Sequence, residues 1–311
     1  MKKIIVAILL LASCLMLGQF TALATEGGSS YYFPGASTTF APAIPPAPGF
    51  MMANQMLFYS GDAGKAVLGG QVRLDMKDKA FYNYVGGFYT FDKPVLGNKK
   101  LQLGLAVPIG NNDLTVSAST AHHSAGRSDR HTALGDTVLT AALYWKDGDC
   151  HYKLTESVFA PTGSYSTDNL INVGRNYWGF DTSLAMTWLN VKTGAEFSIT
   201  PGIMFNTKNS ATDYKSGNEF HVDFALNHHY FKENLAIGLQ GYYYKQLSAD
   251  SGSGAMLGSF KGEAFGIGPA ILWKPKAYKG DLVVVAKWLH DVHETNRLRG
   301  DYGQLTVGYK F

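Results

Sequence analysis

The chain has 311 residues, of which 16% are charged, 27 basic against 24 acidic, where a soluble domain carries roughly a quarter. Aromatics reach 13%, glycine contributes 35 residues and mean hydropathy is -0.07, which excludes a bundle of membrane helices and a strongly electrostatic partner such as nucleic acid. Few charges at near-zero hydropathy require apolar and polar residues to alternate along the chain rather than gather in blocks.

The first segment reads as a secretory signal. Lys2 and Lys3 precede an apolar run from Ile4 to Phe20, and Ala22-Leu23-Ala24 is an A-x-A cleavage site, so residues 1–24 are expected to be removed. The alternative is a lipobox at Leu11-Ala12-Ser13-Cys14 with Cys14 lipidated. Cleavage after Ala24 leaves 25 basic and 24 acidic residues and a single cysteine, Cys150, which excludes an intrachain disulfide and a cysteine-based metal site. No later apolar stretch approaches the ~18 residues of a spanning helix; the best, Leu282 to Leu289, is interrupted by Lys287.

Residues 25–51 form a Pro/Gly-rich entry. Within 26–50 there are five prolines and four glycines without periodicity, which rules out a central strand. Two readings stay open: a periplasmic linker, or an extended segment folded into a lumen as a plug, for which Tyr31, Tyr32, Phe33 and Phe40 supply apolar contacts.

From residue 52 to 311 the pattern is alternation with a period of two. About twelve strands are expected, at 52–60, 79–92, 99–109, 135–147, 150–162, 176–190, 194–206, 218–231, 234–247, 259–274, 279–293 and 302–311. In the last, Leu305, Val307, Tyr309 and Phe311 share one face and Gln304, Thr306, Gly308 and Lys310 the other. In 52–60 the register is undecided, and in 79–92 both faces carry aromatics. Glu156 falls on the apolar face of Tyr152, Leu154 and Val158, which implies a bulge or a position beyond the bilayer. Short connections (93–98, 148–149, 191–193, 232–233, 275–278) alternate with long ones, the longest being 110–134. An even count of long strands sorted in this way predicts an all-β fold: a transmembrane antiparallel up-and-down β-barrel, with the short turns and both mature ends in the periplasm. Trp145, Trp178, Trp188, Trp273 and Trp288 all lie on the apolar face, mostly near strand ends, as aromatic girdles do.

The opposite face holds the functional candidates. Tyr144, Tyr177, Phe231, Tyr242 and Tyr244 mix there with Gln240, Gln246, His221, Asp223 and His229, a lining suited to a small, partly apolar solute. Packing of a narrow lumen by tyrosines is the competing reading. Gly258, Gly262, Gly266 and Gly268 share the inner face of one strand, where they leave room for a plug or a solute. His221, Asp223 and His229 span about 26 Å along one strand, too far for one metal ion, and no nucleotide-binding motif is present. The pairs His122-His123 with Ser124, and His290-Asp291 with His293-Glu294, leave open a lipase or protease at the outer rim.

Several short motifs follow in a set order: Glu26-Gly27-Gly28, the proline-rich run at 45–49, Gly135-Asp136, Pro161-Thr162-Gly163 and Asn176-Tyr177-Trp178. After them come Asn206, Thr212, Tyr214-Lys215-Ser216-Gly217, Gln246 with Asp250-Ser251-Gly252, Gly268-Pro269, and Asn296-Arg297 with Gly300-Asp301. In these the chain resembles the bacterial outer-membrane family of the phenol-degradation meta-pathway. The resemblance implies a transporter-like barrel for aromatic or other hydrophobic compounds, without cofactor or catalytic residues. The expected setting is a monomer in the bacterial outer membrane, in contact with membrane lipid and lipopolysaccharide, and assembled through a C-terminal signal ending in Phe311. A structural or adhesive barrel with a sealed lumen is the remaining alternative.

Overall fold

A computed structural model describes residues 26, 30–37, 39–67, 72–232, 234–255, 261–275, 278 and 281–311. The expected signal peptide and its cleavage site lie outside the described residues, as does Gly258. Thirteen strands are found among those described: β1 (Gly49–Val67), β2 (Val72–Thr90), β3 (Lys100–Ser119), β4 (Ser124–Leu134), β5 (Thr137–Asp147), β6 (Cys150–Ala160), β7 (Gly179–Leu189), β8 (Ala195–Asn206), β9 (Glu219–Tyr230), β10 (Leu235–Gln246), β11 (Glu263–Trp273), β12 (Leu282–Thr295) and β13 (Arg299–Lys310). Every pairing is antiparallel, and β1 pairs with both β2 and β13, which closes the sheet. Twelve strands form the wall. Closure satisfies the backbone donors and acceptors that an open edge would leave bare in lipid.

The additional strand comes from the connection 110–134. The sequence has it as the longest connection, and the structure makes most of it strand. β3 continues to Ser119 and turns back into β4, which pairs with the second half of β3 while β5 pairs with the first half. Between these ladders Val107 and Pro108 face three residues, Gly135, Asp136 and Thr137. The extra residue is a bulge, placed opposite a proline that has no N–H to give. It frees Asp136 from the ladder and leaves it buried.

Alternation sorts the side chains as the sequence predicts. Leu139, Leu154, Phe180, Leu184, Phe197, Ile203, Leu226, Ile237 and Ile271 stand exposed on the outer face, together with Trp178, Trp188, Trp273 and Trp288. Water would penalise such a belt by about 25 cal/mol for each Å2 of apolar surface; hydrocarbon does not. The two undecided registers resolve through polar residues that also face outward. Asn54 on β1 donates to Asn83 on β2 at 2.7 Å, which puts Tyr82, Tyr84 and Phe88 inside. Glu156 faces outward without a bulge, since the β5–β6 and β6–β7 registers run unbroken, and its carboxylate is satisfied by the Thr182 hydroxyl at 2.5 Å.

The described residues of the proline-rich segment lie in the lumen. Tyr32 and Phe40 are buried in it, each within its own apolar cluster against the barrel wall. Gly35 turns the segment at φ +77, and a Cβ there would meet Leu289 Cδ1 at 2.3 Å. Only glycine suits both demands.

Candidate functional site

The segment is docked through polar groups that barrel strands present at alternate positions. The Tyr32 hydroxyl donates to Asp223 of β9, and the Ser37 amide donates to the other carboxylate oxygen at 2.8 Å. The Tyr32 ring stacks on His221 with centroids 4.1 Å apart, and lies parallel to Tyr244 at 6.0 Å. His221 is held by Asp181 at 2.8 Å. Further along, the Ala41 amide donates to Glu196 at 2.8 Å, and the Ala43 amide to Thr187 Oγ1 at 3.3 Å. Lys287 of β12 donates to the Gly35 carbonyl and also reaches Gln240. Proline-rich backbone has few donors of its own, so the wall supplies acceptors for those that remain and a cation for a free carbonyl.

At the end of the barrel with long loops, a second set of bonds ties the segment to the loops. The Tyr31 hydroxyl lies 2.7 Å from both Asp136 Oδ2 and the Tyr177 carbonyl. Asp136 also accepts from the Gly163 amide at 2.8 Å and the Arg175 amide at 2.7 Å, while the Arg175 guanidinium donates to the Ser30 carbonyl at 2.7 Å. Glu26 accepts from Asn209 at 3.0 Å and from Thr212 at 2.6 Å, and burial pushes its carboxyl above the usual carboxylate range. Asp250 collects Tyr214, the Gly217 amide and Gln246.

Two cavities flank the segment. A chamber of about 80 Å3 on the long-loop side is bounded by Tyr59, Tyr82, Asp78, Asn112, Arg175 and Arg297. That is less than the ~150 Å3 that admits a benzene ring. Asp78 Oδ1, Asn112 Oδ1 and Arg297 Nη1 are buried there without a hydrogen-bond partner. Toward the short turns a vestibule of about 910 Å3 opens, bounded by Met51, Phe88, Val138, Tyr144, Lys153 and Val285 among others. The two spaces share Tyr31, Tyr32, Phe33, Tyr84 and Phe159 as lining. This aromatic group borders both spaces.

The residues singled out in the sequence divide accordingly. Tyr144, His229 and Phe231 border the vestibule, Phe231 at its rim and stacked on His229. Tyr242 and Tyr244 are fully buried beneath the plug, and the ring of Tyr242 occupies the space above Gly266. His221, Asp223 and Gln240 hold the plug, Tyr177 adjoins Tyr31, and Gln246 belongs to the Asp250 loop cluster. Sequence reasoning met Asp136 only within a motif of the resemblance and passed over Lys153, Arg175, Glu196 and Lys287 as site residues. A charge at an inward position of a membrane strand was the available signal for Lys153, Glu196 and Lys287. The rim pairs separate by face: His290 bonds Asp301 at 2.9 Å on the outside, while Asp291 points inward and accepts from Tyr242 and the Gly300 amide.

The fold is similar to that of the COG4313 outer membrane channel from Pseudomonas putida F1, with a TM-score of 0.71 at 13% identity over 88% of this chain and 99% of that one. Weaker similarity extends to the translocator domain of the autotransporter NalP from Neisseria meningitidis (TM-score 0.44, 12% identity, 86% of this chain and 90% of that one). A Pseudomonas aeruginosa FadL homologue stands at TM-score 0.42 and 8% identity over 84% of this chain and 90% of that one. No curated protein sequence matches. The family model described as "Putative MetA-pathway of phenol degradation" matches residues 59–307, which takes in β2 to β12 whole, the second half of β1 and most of β13, and the chain belongs to that family.

Proposed function

We propose that the protein is an outer-membrane channel that admits small hydrophobic or aromatic compounds to the periplasm. The observation that carries this reading is the pair of cavities that share aromatic side chains of the plug and wall as their common lining. A solute with a π-face can replace one ring contact by another as it passes, whereas a sugar would lose its hydration to an aromatic lining. The short turns and both ends of the mature chain face the periplasm, as short turns do in this class of barrel. The mature chain begins after residue 24, works as a monomer and uses its terminal Phe311 for assembly.

Uptake into proteoliposomes tests the proposal. Phenols or aromatic acids should enter faster than a size-matched sugar, and equal rates would refute the selectivity. If nothing passes even after removal of residues 30–48, the barrel is a sealed structural element.

A further inference from the structure

Among the described residues, several cations that face the lumen are engaged with the plug or with a wall residue that also touches it. Lys287 donates to Gly35 and Gln240, Arg175 donates to Ser30, and Arg297 lies over the Tyr244 ring at 4.2 Å. Lys153 differs. Its place on β6, opposite Tyr144 of β5 and Ala185 of β7, turns it into the vestibule. Its nitrogen stands 5.9 Å from the Tyr144 ring centre. The nearest inward carboxylate on β7, Asp181, is four positions along, about 13 Å at ~3.3 Å per residue, and is occupied by His221. The amide oxygen of Gln102 already accepts from Tyr144 at 3.0 Å.

A half-buried ammonium without a carboxylate partner is costly. The surroundings make a specific use of it. Phe88, Val138, Tyr144 and Phe159 give the same vestibule apolar and aromatic walls, and its volume of about 910 Å3 falls within the ~300–1,000 Å3 of ligand pockets. Lys274 and Lys310 also line the vestibule, but Lys153 is the one set against the Tyr144 ring, and a cation beside an aromatic wall is complementary to a molecule with one anionic end and an apolar body. Resting on the channel reading above, we infer that Lys153 makes the vestibule a binding site for carboxylate-bearing aromatic acids, with the carboxylate on the ammonium and the ring against Tyr144 and Phe88.

The test uses the full mature chain in phosphatidylcholine nanodiscs, with 4-phenylbutyrate and its neutral counterpart 4-phenylbutanol as probes and empty discs as the reference. Calorimetry should show the acid bound at least about tenfold more tightly than the alcohol, the scale of one hydrogen bond to a charged group. Lys153→Met should abolish that preference and leave the alcohol unchanged, while Lys153→Arg should retain it. Lys274→Met, at the cavity mouth, serves as the control for general charge and should retain it too. Equal binding of acid and alcohol by the wild type, or a preference that survives Lys153→Met, overturns the inference and leaves the channel reading standing. Failure of both probes to bind above empty discs overturns the two together.

Discussion

Tyr32→Phe removes one oxygen from the centre of the plug and leaves the ring stacked on His221. What is lost is the hydroxyl's bond to Asp223, a buried carboxylate that keeps the Ser37 amide at 2.8 Å, together with a long bond accepted from the Gly35 amide at 3.3 Å. A hydrogen bond to a charged group contributes about 1.5–3 kcal/mol, and each 1.4 kcal/mol is tenfold in an equilibrium. The undocked fraction of the segment should therefore rise about 10- to 150-fold. Hydrogen exchange reads this directly, because the amides of Ser37, Ala41 and Ala43 donate to barrel side chains, not to a ladder of their own. They should exchange together and faster by that factor, while amides of β9 and β10 stay unchanged. Tyr32→Ala also forfeits ring burial, worth a further ~3 kcal/mol or more, and should open the channel in conductance measurements. If neither variant changes exchange at 37, 41 and 43, the hydroxyl–carboxylate bond is not what holds the plug.

Asp136→Ala withdraws the acceptor shared by Tyr31, Gly163 and Arg175. Proteolysis within 161–176 should accelerate at least about tenfold, by the same hydrogen-bond scale. Gly35→Ala adds a Cβ 2.3 Å from Leu289 Cδ1 at φ +77. It should weaken plug docking by about 1–3 kcal/mol, seen as faster exchange at Ser37, whereas Leu289→Ala alongside it should recover the steric part. The Glu26 carboxyl is raised above its ordinary 4.5 by burial, so the stabilising form in the docked state is the neutral one. Its contribution is full below about pH 4.5 and fades as pH climbs through the raised value. A fluorophore beside residue 26 should report firmer docking in acid, and Glu26→Gln should remove the dependence. Leu184→Arg places a charge on the lipid-facing belt and should cost about 2–4 kcal/mol in barrel stability, measured by urea-gradient unfolding in lipid.

The barrel was legible wherever one face meets lipid, because hydrocarbon enforces the period of two. Beyond the bilayer that pressure vanishes. β4, with the sequence SAGRSDRHTAL, has polar residues on both faces, and nothing in its pattern distinguishes a strand from a loop. The upper halves of β1 and β2 were missed for the same reason. Polar residues on the outer face hid the register elsewhere: Asn54 and Asn83 satisfy each other across two strands, and Glu156 finds Thr182 across another pair. Such matches exist only after the strands are in register. Inward positions were readable as positions, but not as roles. The sequence gives His221, Asp223 and Tyr242 an inward address, whereas the decision between lining a pore and gripping a plug lies in residues 30–48, remote in sequence and without periodicity.

The motifs that carry the family resemblance fall largely on this grip. Gly135-Asp136 forms the bulge and the hub for Tyr31 and the loop at 163–175. Glu26, Asn209 and Thr212 form one cluster, Tyr214, Gly217, Gln246 and Asp250 another, and Gly300 gives its amide to Asp291, which in turn anchors Tyr242. In this chain, then, these motif residues act on how the lumen is closed. The vestibule walls take in Pro45, Pro46 and Ala47 of the proline-rich motif, but also Met51, Phe88, Val138 and Lys153, which belong to no motif. Solute preference can then change by substitution in the vestibule without disturbing the seal, because side chains there face open space while those around Tyr32 and Asp136 are bonded to several partners at once. Exchanging vestibule residues between two members of the family should transfer solute preference, whereas exchanging the plug alone should change only how readily it opens. A transfer of preference with the plug would reverse that assignment.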